Sequence, residues 1–267
     1  MKKLVLFDMD GTVYLGNKLI DGALETFKYI KDNNINFVFI TNNSSHDISF
    51  YEEKVNNMGI ACNRDNFYSS IETTIATLKK EGIKEINGWG NKCLIDALSK
   101  DFKLVEEFDK NKKVEAIVVG FTTELRYENL MVTALYLQNG CDKYYATNVD
   151  YRCPIEDGYY IPDCGGLVEM LYLCTGKRPK FLGKPEPDMI NCLIDKFKVN
   201  KEDVLVVGDR IYTDIKSGIN AGVDTCAVLS GEIDMNDIEK SGDKPTYVID
   251  SIKDLRKVLE GKAEIYY

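Results

Sequence analysis

The chain is predicted to fold as an open, three-layer α/β protein, a parallel sheet covered by helices, with a second α/β unit inserted into it. Three observations carry this. Runs of continuous rather than alternating apolar residues, such as LVLF (4–7) and VLVV within DVLVVGD (203–209), have the pattern of strands buried on both faces. Stretches with helical spacing lie between or after these runs. A long middle segment then repeats the alternation before the first pattern resumes. With 267 residues, 44% of them apolar, the chain has material for one large domain or a core with a smaller unit.

The elements follow in order. LVLF (4–7) is the first strand, a helical stretch covers 22–33, and NFVFI (36–40) is a second strand running into the polar TNNSS (41–45). ISFYEEKVNNMG (48–59) has a helical pattern that Gly59 terminates, and SSIETTIATLKKEG (69–82) repeats that device. Near the other end, DVLVVGD (203–209), DTCAVLS (224–230) and TYVID (246–250) are strands, with helices over 214–222 and 251–261. The middle unit offers EAIVVGF (115–121) and KYYATN (143–148) as strands and helices over 127–140 and near 165–175. Between them DYRCPIEDGYYIPDCGG (150–166) is rich in turn formers and aromatics. The expected division is a core of 1–82 and 179–267 carrying an α/β insertion over 83–178. The mixed charges of 98–113 read as a solvated surface, and Trp89 in NGWGNK (87–92) as a core or loop anchor.

Composition removes several function classes. The chain has 34 basic and 43 acidic residues, a net charge of -9, which disfavours a nucleic-acid polymer or an anionic membrane as partner. No apolar run approaches the roughly 18 to 20 residues that span a bilayer, so the expected compartment is the cytoplasm. Eight scattered cysteines without a CxxC pair read as reduced thiols, not as a disulfide framework or a zinc site. The single histidine, His46, rules out a multi-histidine metal centre and falls beside a helix start.

The chemistry lies at the strand ends. Ligands of open α/β sheets gather beyond the carboxyl ends of the strands, and Asp8, Thr41 and Asp209 each follow an apolar run. Asp8 and Asp10 are two apart, which would place both on one face of a regular strand, but Gly11 lets the chain turn and carry Asp10 onto a loop. Two neighbouring carboxylates can divide their work, one attacking while the other holds and returns a proton. Aspartate is a covalent nucleophile in phosphoryl transfer. A carboxylate approaching a phosphate needs positive charge and oriented donors. Mg2+ suits oxygen ligands such as Asp8 and Asp209. Lys184 in LGKPEP (182–187) is a candidate clamp, and the Thr41 hydroxyl with the amides of Asn42 and Asn43 would meet an oxyanion. Taken singly, each has a plainer explanation: Asp8, Asp10 and Asp209 as turn residues, Thr41 or Asn43 as a helix cap, Lys184 as a solvated side chain, Asp214 as a helix-start charge. Recurrence of the same polar chemistry at three strand ends favours the functional set.

DMDGT (8–12), FITNN (39–43), GKPEP (183–187) and GDRIYTD (208–214) resemble, in order and spacing, the four motifs of the haloacid dehalogenase-like superfamily. GFTTELRYENL (120–130), YYATNVD (144–150) and the stretch 162–187 resemble landmarks of its NagD-like, nitrophenylphosphatase branch, and the similarity covers nearly the whole chain. The resemblance implies a Rossmann-like core with a large α/β cap between the second and third motifs, and a Mg2+-dependent phosphatase of small phosphomonoesters. It implies Asp8 as nucleophile and Asp10 as general acid and base. It assigns Mg2+ to the carboxylates of Asp8 and Asp209 and the main-chain carbonyl of Asp10, with Asp214 as acidic support. Thr41, Asn42, Asn43 and Lys184 would grip the phosphoryl group. Asn148, Asp150, Asp163, Cys164 and Gly165 are the cap-side candidates for substrate contact, the alternative for Asn148 and Asp150 being a turn and for the glycine a tight helix start. The resemblance also implies a homodimer through the cap. The family often carries an acidic residue where this chain has Thr122, a change that bears on cap hydrogen bonding rather than on the core chemistry. Substrates in such a family include sugar phosphates, nucleoside monophosphates and phosphoglycolate, besides artificial aryl phosphates. A mutase sharing the aspartyl-phosphate chemistry and a non-catalytic phosphometabolite-binding protein are the rival readings; the large cap argues against the first and the intact Asp8 and Asp10 against the second.

Overall fold

In the computed structural model, which describes residues 2–43, 46–154 and 159–267, the chain divides into two compact units. Ser44 and Ser45 of the polar run, and 155–158 of the turn-rich stretch, lie outside the described residues. One unit comprises Met1–Thr41, Ile48–Tyr68 and Lys184–Tyr267; the other comprises Asn42–Asp47 and Ser69–Gly183.

The first unit is built on a sheet whose central strand is β1 (Leu4–Phe7), paired in parallel with β4 (Asn36–Thr41) on one side and β13 (Val204–Gly208) on the other. β5 (Phe67–Ser69), β14 (Asp224–Val228) and β15 (Tyr247–Ile249) complete the order β15-β14-β13-β1-β4-β5. Strand alternation explains why the apolar runs are continuous. Val5, Phe7, Phe39, Leu205 and Val207 pack with residues of α1 (Ala23–Asp32), α2 (Ile48–Asn57) and α10 (Leu255–Leu259). Leu4, Leu6, Val38, Ile40, Val204 and Val206 pack with residues of α7 (Asp188–Phe197) and α8 (Lys216–Ala221). Both faces are therefore covered, giving three layers. A hairpin of β2 (Tyr14–Leu15) and β3 (Lys18–Leu19) follows β1, and α9 (Met235–Lys240) seats Ile238 in a smaller cluster. The expected helix over 214–222 is a widened π turn over Ile211–Ile215 continuing into α8.

The second unit has a parallel sheet of its own, in the order β12-β9-β8-β6-β7, from β6 (Glu85–Trp89), β7 (Lys103–Leu104), β8 (Ala116–Val119), β9 (Tyr144–Ala146) and β12 (Lys180–Phe181). α3 (Ser70–Lys80) and α4 (Lys92–Ser99) contribute to a cluster containing Ile86, Ala116 and Val118. α5 (Tyr127–Gln138) and α6 (Cys164–Thr175) pack with Trp89, Ile117, Val119 and Ala146. An antiparallel hairpin of β10 (Arg152–Pro154) and β11 (Tyr160–Pro162) precedes α6. Strand β6 escapes the apolar-run criterion because Asn87 and Gly88 interrupt it. Asn87 is nonetheless buried, because its amide donates to the Val105 carbonyl (2.9 Å) and accepts from the Thr133 hydroxyl (2.9 Å).

Candidate active site

Parallel pairing brings three polar residues to one edge. Phe7 is in register with Val207 and Phe39, so Asp8, just past β1, stands near Asp209, just past β13, and near Thr41 at the end of β4. The Asp8 N–H continues the ladder by donating to the Val207 carbonyl (2.9 Å). Gly11 sits at φ +86°, and a Cβ there would lie 2.2 Å from Asp209 Oδ2; one on Gly231 would lie 2.0 Å from the same oxygen. Two side-chain-free backbones thus close over the Asp209 carboxylate. That carboxylate accepts from the Thr12 hydroxyl (3.3 Å) and the Glu232 N–H (2.8 Å).

Lys184, 3% exposed, is the cation of the site. Its Nζ donates to Asp8 Oδ1 and to Asp214 Oδ1, each at 2.6 Å, and to the Ile40 carbonyl at 3.5 Å. Asp214 Oδ2 accepts from the Arg210 N–H (3.1 Å). The carboxylates of Asp8, Asp209 and Asp214 each offer an oxygen within 4.8 Å of the others. Among the described residues the Lys184 ammonium and the nearby Arg210 guanidinium face three carboxylates, and Arg210 is itself paired with Glu232, so negative charge remains in excess. Burial pushes Asp209 up to about 6, and the Asp8 charge adds to the shift. Burial also raises Asp214 while the Lys184 ammonium pulls it back; at 2.6 Å the ionised pair is the state this geometry supports. Burial acts to lower Lys184, but the Asp214 and Asp8 carboxylates outweigh it and hold the amine protonated. A donor set of carboxylate oxygens alone, with unmatched negative charge, fits a hard divalent cation.

The other expected residues divide into two groups. Asp10 is exposed on the turn that Gly11 starts, accepting from the Gly16 N–H (3.3 Å). Its carboxylate is not in the acidic cluster, whereas that of Asp214, expected beside the site, belongs to the cluster itself. Thr41 and Asn42 are half-buried and Asn43 is exposed. Within the second unit, the Asn42 amide donates to Asp150 Oδ2 (3.0 Å) and its carbonyl accepts from the Ser70 hydroxyl (3.0 Å).

The cap-side candidates form one hydrogen-bonded network. The Asn148 amide donates to Asp150 Oδ2 (2.9 Å) and Asp163 Oδ1 (3.2 Å), and Asn148 Oδ1 accepts from the Thr147 hydroxyl (2.9 Å). Asp163 caps α6 through the Cys164 N–H (2.5 Å); burial pushes its carboxyl up, against those two donors. Cys164 is fully buried with its thiol on the Val119 carbonyl (3.5 Å), and a Cβ on Gly165 would lie 2.5 Å from the Val149 carbonyl oxygen. Asn148, Asp163, Cys164 and Gly165 therefore face inward and fix the 148–150 loop, while Asp150 is half-buried. Thr12, buried and on Asp209, was not anticipated; its only signal is a hydroxyl directly after Gly11.

Comparison with known proteins agrees with this architecture. Residues 5–103 match the family described as haloacid dehalogenase-like hydrolase, and residues 181–255 match one described as HAD-hydrolase-like. The acid sugar phosphatase of Staphylococcus saprophyticus is 34% identical over 97% of this chain and 98% of its own length. The solved 4-nitrophenylphosphatase from Thermotoga maritima superposes with a TM-score of 0.86 at 36% identity, covering 96% of this chain and 97% of that one. NagD from E. coli K-12 superposes with a TM-score of 0.85 at 28% identity, covering 94% and 97%.

Proposed function

The chain belongs to the haloacid dehalogenase-like hydrolases, as a NagD-like phosphoric monoester hydrolase of the kind that needs a divalent metal, and we propose that it is a Mg2+-dependent phosphatase working through an aspartyl-phosphate. The observation that carries this reading is the Lys184 ammonium bonded at once to Asp8 and Asp214 beside Asp209. Within that cluster Asp8 is the carboxylate open to a substrate, its side chain 19% exposed against 1% for Asp214.

In the proposed reaction an Asp8 oxygen bonds to phosphorus as the bond from phosphorus to the leaving oxygen breaks, and the departing alkoxide takes a proton from Asp10. Water then attacks the phosphorus, giving its proton to Asp10, and the bond to Asp8 breaks to release phosphate. Exposure of Asp10 on its turn suits a group that must exchange protons with both alcohol and water. Lys184 and the Thr41 hydroxyl would hold the phosphoryl oxygens, with Asn42 and Asn43 beside them. Mg2+, when held by Asp8, Asp209 and the Asp10 carbonyl with Asp214 adjacent, would offset the repulsion between carboxylate and phosphate.

The substrate is proposed to be a small soluble phosphomonoester, with sugar phosphates first because of the acid sugar phosphatase relative and p-nitrophenyl phosphate as the in vitro probe. The inserted unit is proposed to act as a substrate-selecting cap, with Asp150 as its half-buried candidate contact. The test is phosphate release from p-nitrophenyl phosphate and a panel of sugar phosphates, nucleoside monophosphates and phosphoglycolate, with Mg2+ or EDTA. The expected result is Mg2+-dependent release, abolished by Asp8→Asn and strongly reduced by Asp10→Asn in folded protein. Release that persists in Asp8→Asn would remove Asp8 as the nucleophile.

A further inference from the structure

The loop that follows β14 is fastened to the acidic cluster by several separate contacts, all within the first unit. The Ser230 hydroxyl donates to the Gly11 carbonyl (2.9 Å), and the Ile233 N–H donates to the Asp209 carbonyl (3.2 Å). Between them Gly231 comes directly against the Asp209 carboxylate. Glu232 then presents two ends to two neighbours. Its N–H donates to Asp209 Oδ2 (2.8 Å). Its carboxylate turns instead to Arg210, with Oε2 2.7 Å from Nε, and accepts from the Tyr212 hydroxyl at Oε1 (3.3 Å).

Arg210 stands where it could act against the site. It follows Asp209 directly, and its own N–H donates to Asp214 Oδ2 (3.1 Å). Burial works against its charge, while Tyr212 and then the carboxylates of Glu232, Asp8 and Asp209 favour it, so the guanidinium stays protonated beside the cluster. A guanidinium is a fork of donors shaped for carboxylates, and on Asp8 or Asp209 it would occupy oxygens that a divalent cation needs. Its contact with Glu232 is one of charge, the Nε–H not being aligned as a hydrogen bond, and both side chains are more than a third exposed. Such a pair contributes little to stability. What it decides is where the guanidinium goes.

We propose that Glu232 is a positioning residue of the metal site: its main-chain N–H fixes the Asp209 carboxylate while its side chain holds the Arg210 guanidinium off the Asp8 and Asp209 oxygens. The acidic cluster is thereby left to a divalent cation instead of being closed by arginine. Without the Glu232 carboxylate the guanidinium has solvent or the cluster as its partner, and the excess of negative charge draws it to the cluster. The inference rests on the reading of Asp8 and Asp209 as metal ligands, and it places a determinant of metal affinity outside the ligand set.

The test reads metal binding without turnover. The full-length protein, free of substrate, is titrated with Mg2+ while its melting temperature and the heat of binding are followed, in about 0.5 M NaCl so that charges not in contact are largely screened. Glu232→Ala, which keeps the N–H on Asp209, is expected to need about tenfold more Mg2+ for half its response. Arg210→Ala alone should bind Mg2+ at least as tightly as the parent. Adding Arg210→Ala to Glu232→Ala should bring the affinity back to within about threefold of the parent. Glu232→Gln, which keeps the shape without the charge, should weaken binding in the same direction, and it carries the test if Glu232→Ala does not melt cooperatively in EDTA. Parental affinity in both Glu232 variants overturns the proposal. So does weakened binding that Arg210→Ala leaves uncorrected, which would make Glu232 a brace for the loop alone. A parent without any Mg2+ response overturns the metal reading itself, and this inference with it.

Discussion

Lys184 donates 2.6 Å bonds to Asp8 and Asp214 from a site where it is 3% exposed, so its removal strands two carboxylates among other negative charge. Breaking a buried pair from one side costs about 3 to 5 kcal/mol. Lys184→Met is therefore expected to lower the urea midpoint by that equivalent with an unchanged slope, and to abolish phosphate release; near-parental stability would contradict the pairing. Asp209 sets a pH dependence in the metal-free protein. Its folded carboxyl is pushed from the ordinary 3.8 up to about 6, so the folded state binds the proton more tightly than the unfolded state. Stability in EDTA should fall as pH rises from about 4 to about 6 and stay lower above that, by about 3 kcal/mol from this group. Denaturation across that range is expected to flatten in Asp209→Asn, and a profile as steep as the parent's would assign the effect to another group. Added Mg2+ should raise the melting temperature more at about pH 7, where the carboxylate is charged, than at about pH 5.

The turn after β1 and the start of α3 show two ways in which an element depends on one residue. Gly11 combines φ +86° with a Cβ position 2.2 Å from Asp209 Oδ2. Gly11→Ala is expected to cost about 2 kcal/mol or more and to weaken the Mg2+-induced rise in melting temperature, because the methyl group displaces Asp209. Ser69 caps α3 by accepting from the Ile71 N–H (3.1 Å), while Glu72 accepts from the Ser69 N–H (3.0 Å). Ser69→Ala should cost about 1 kcal/mol and leave the Mg2+ response intact, a contrast that calorimetry with and without the metal would read directly. Elements also differed in how plainly their residues announced them. β1, β4 and β13 are visible as apolar runs because both sheet faces are covered. β6 is not, because its buried Asn87 is satisfied by partners at Val105 and Thr133 that only folding supplies. α7 lies outside the helices expected from the sequence, although DMINCLIDKF places Met189, Ile190 and Leu193 on one buried stripe.

Across the whole molecule the buried residues form separate cores, those around Phe7 and Leu6 belonging to the first unit and those around Trp89 and Leu94 to the second. The acidic cluster lies wholly in the first. Mg2+ is expected to slow amide exchange at the carboxyl ends of β1 and β13 while β6, β8 and β9 stay unchanged, and equal slowing in both units would show that the metal acts beyond its own core. Local patterns were enough to mark Asp8, Asp10, Thr41, Lys184 and Asp209 as candidates and to locate β1, β4, β13, β14 and β15 along the chain, since a buried strand and the polar residue ending it are read within a few neighbouring residues. Burial and long-range pairing needed the folded chain. Lys184 meets Asp8 across 176 positions of sequence, Asp214 enters the acidic cluster, and Asn148, Asp163 and Cys164 turn inward to hold a loop. Each of these depends on which faces meet and in what register, and those are properties of packing rather than of any one segment.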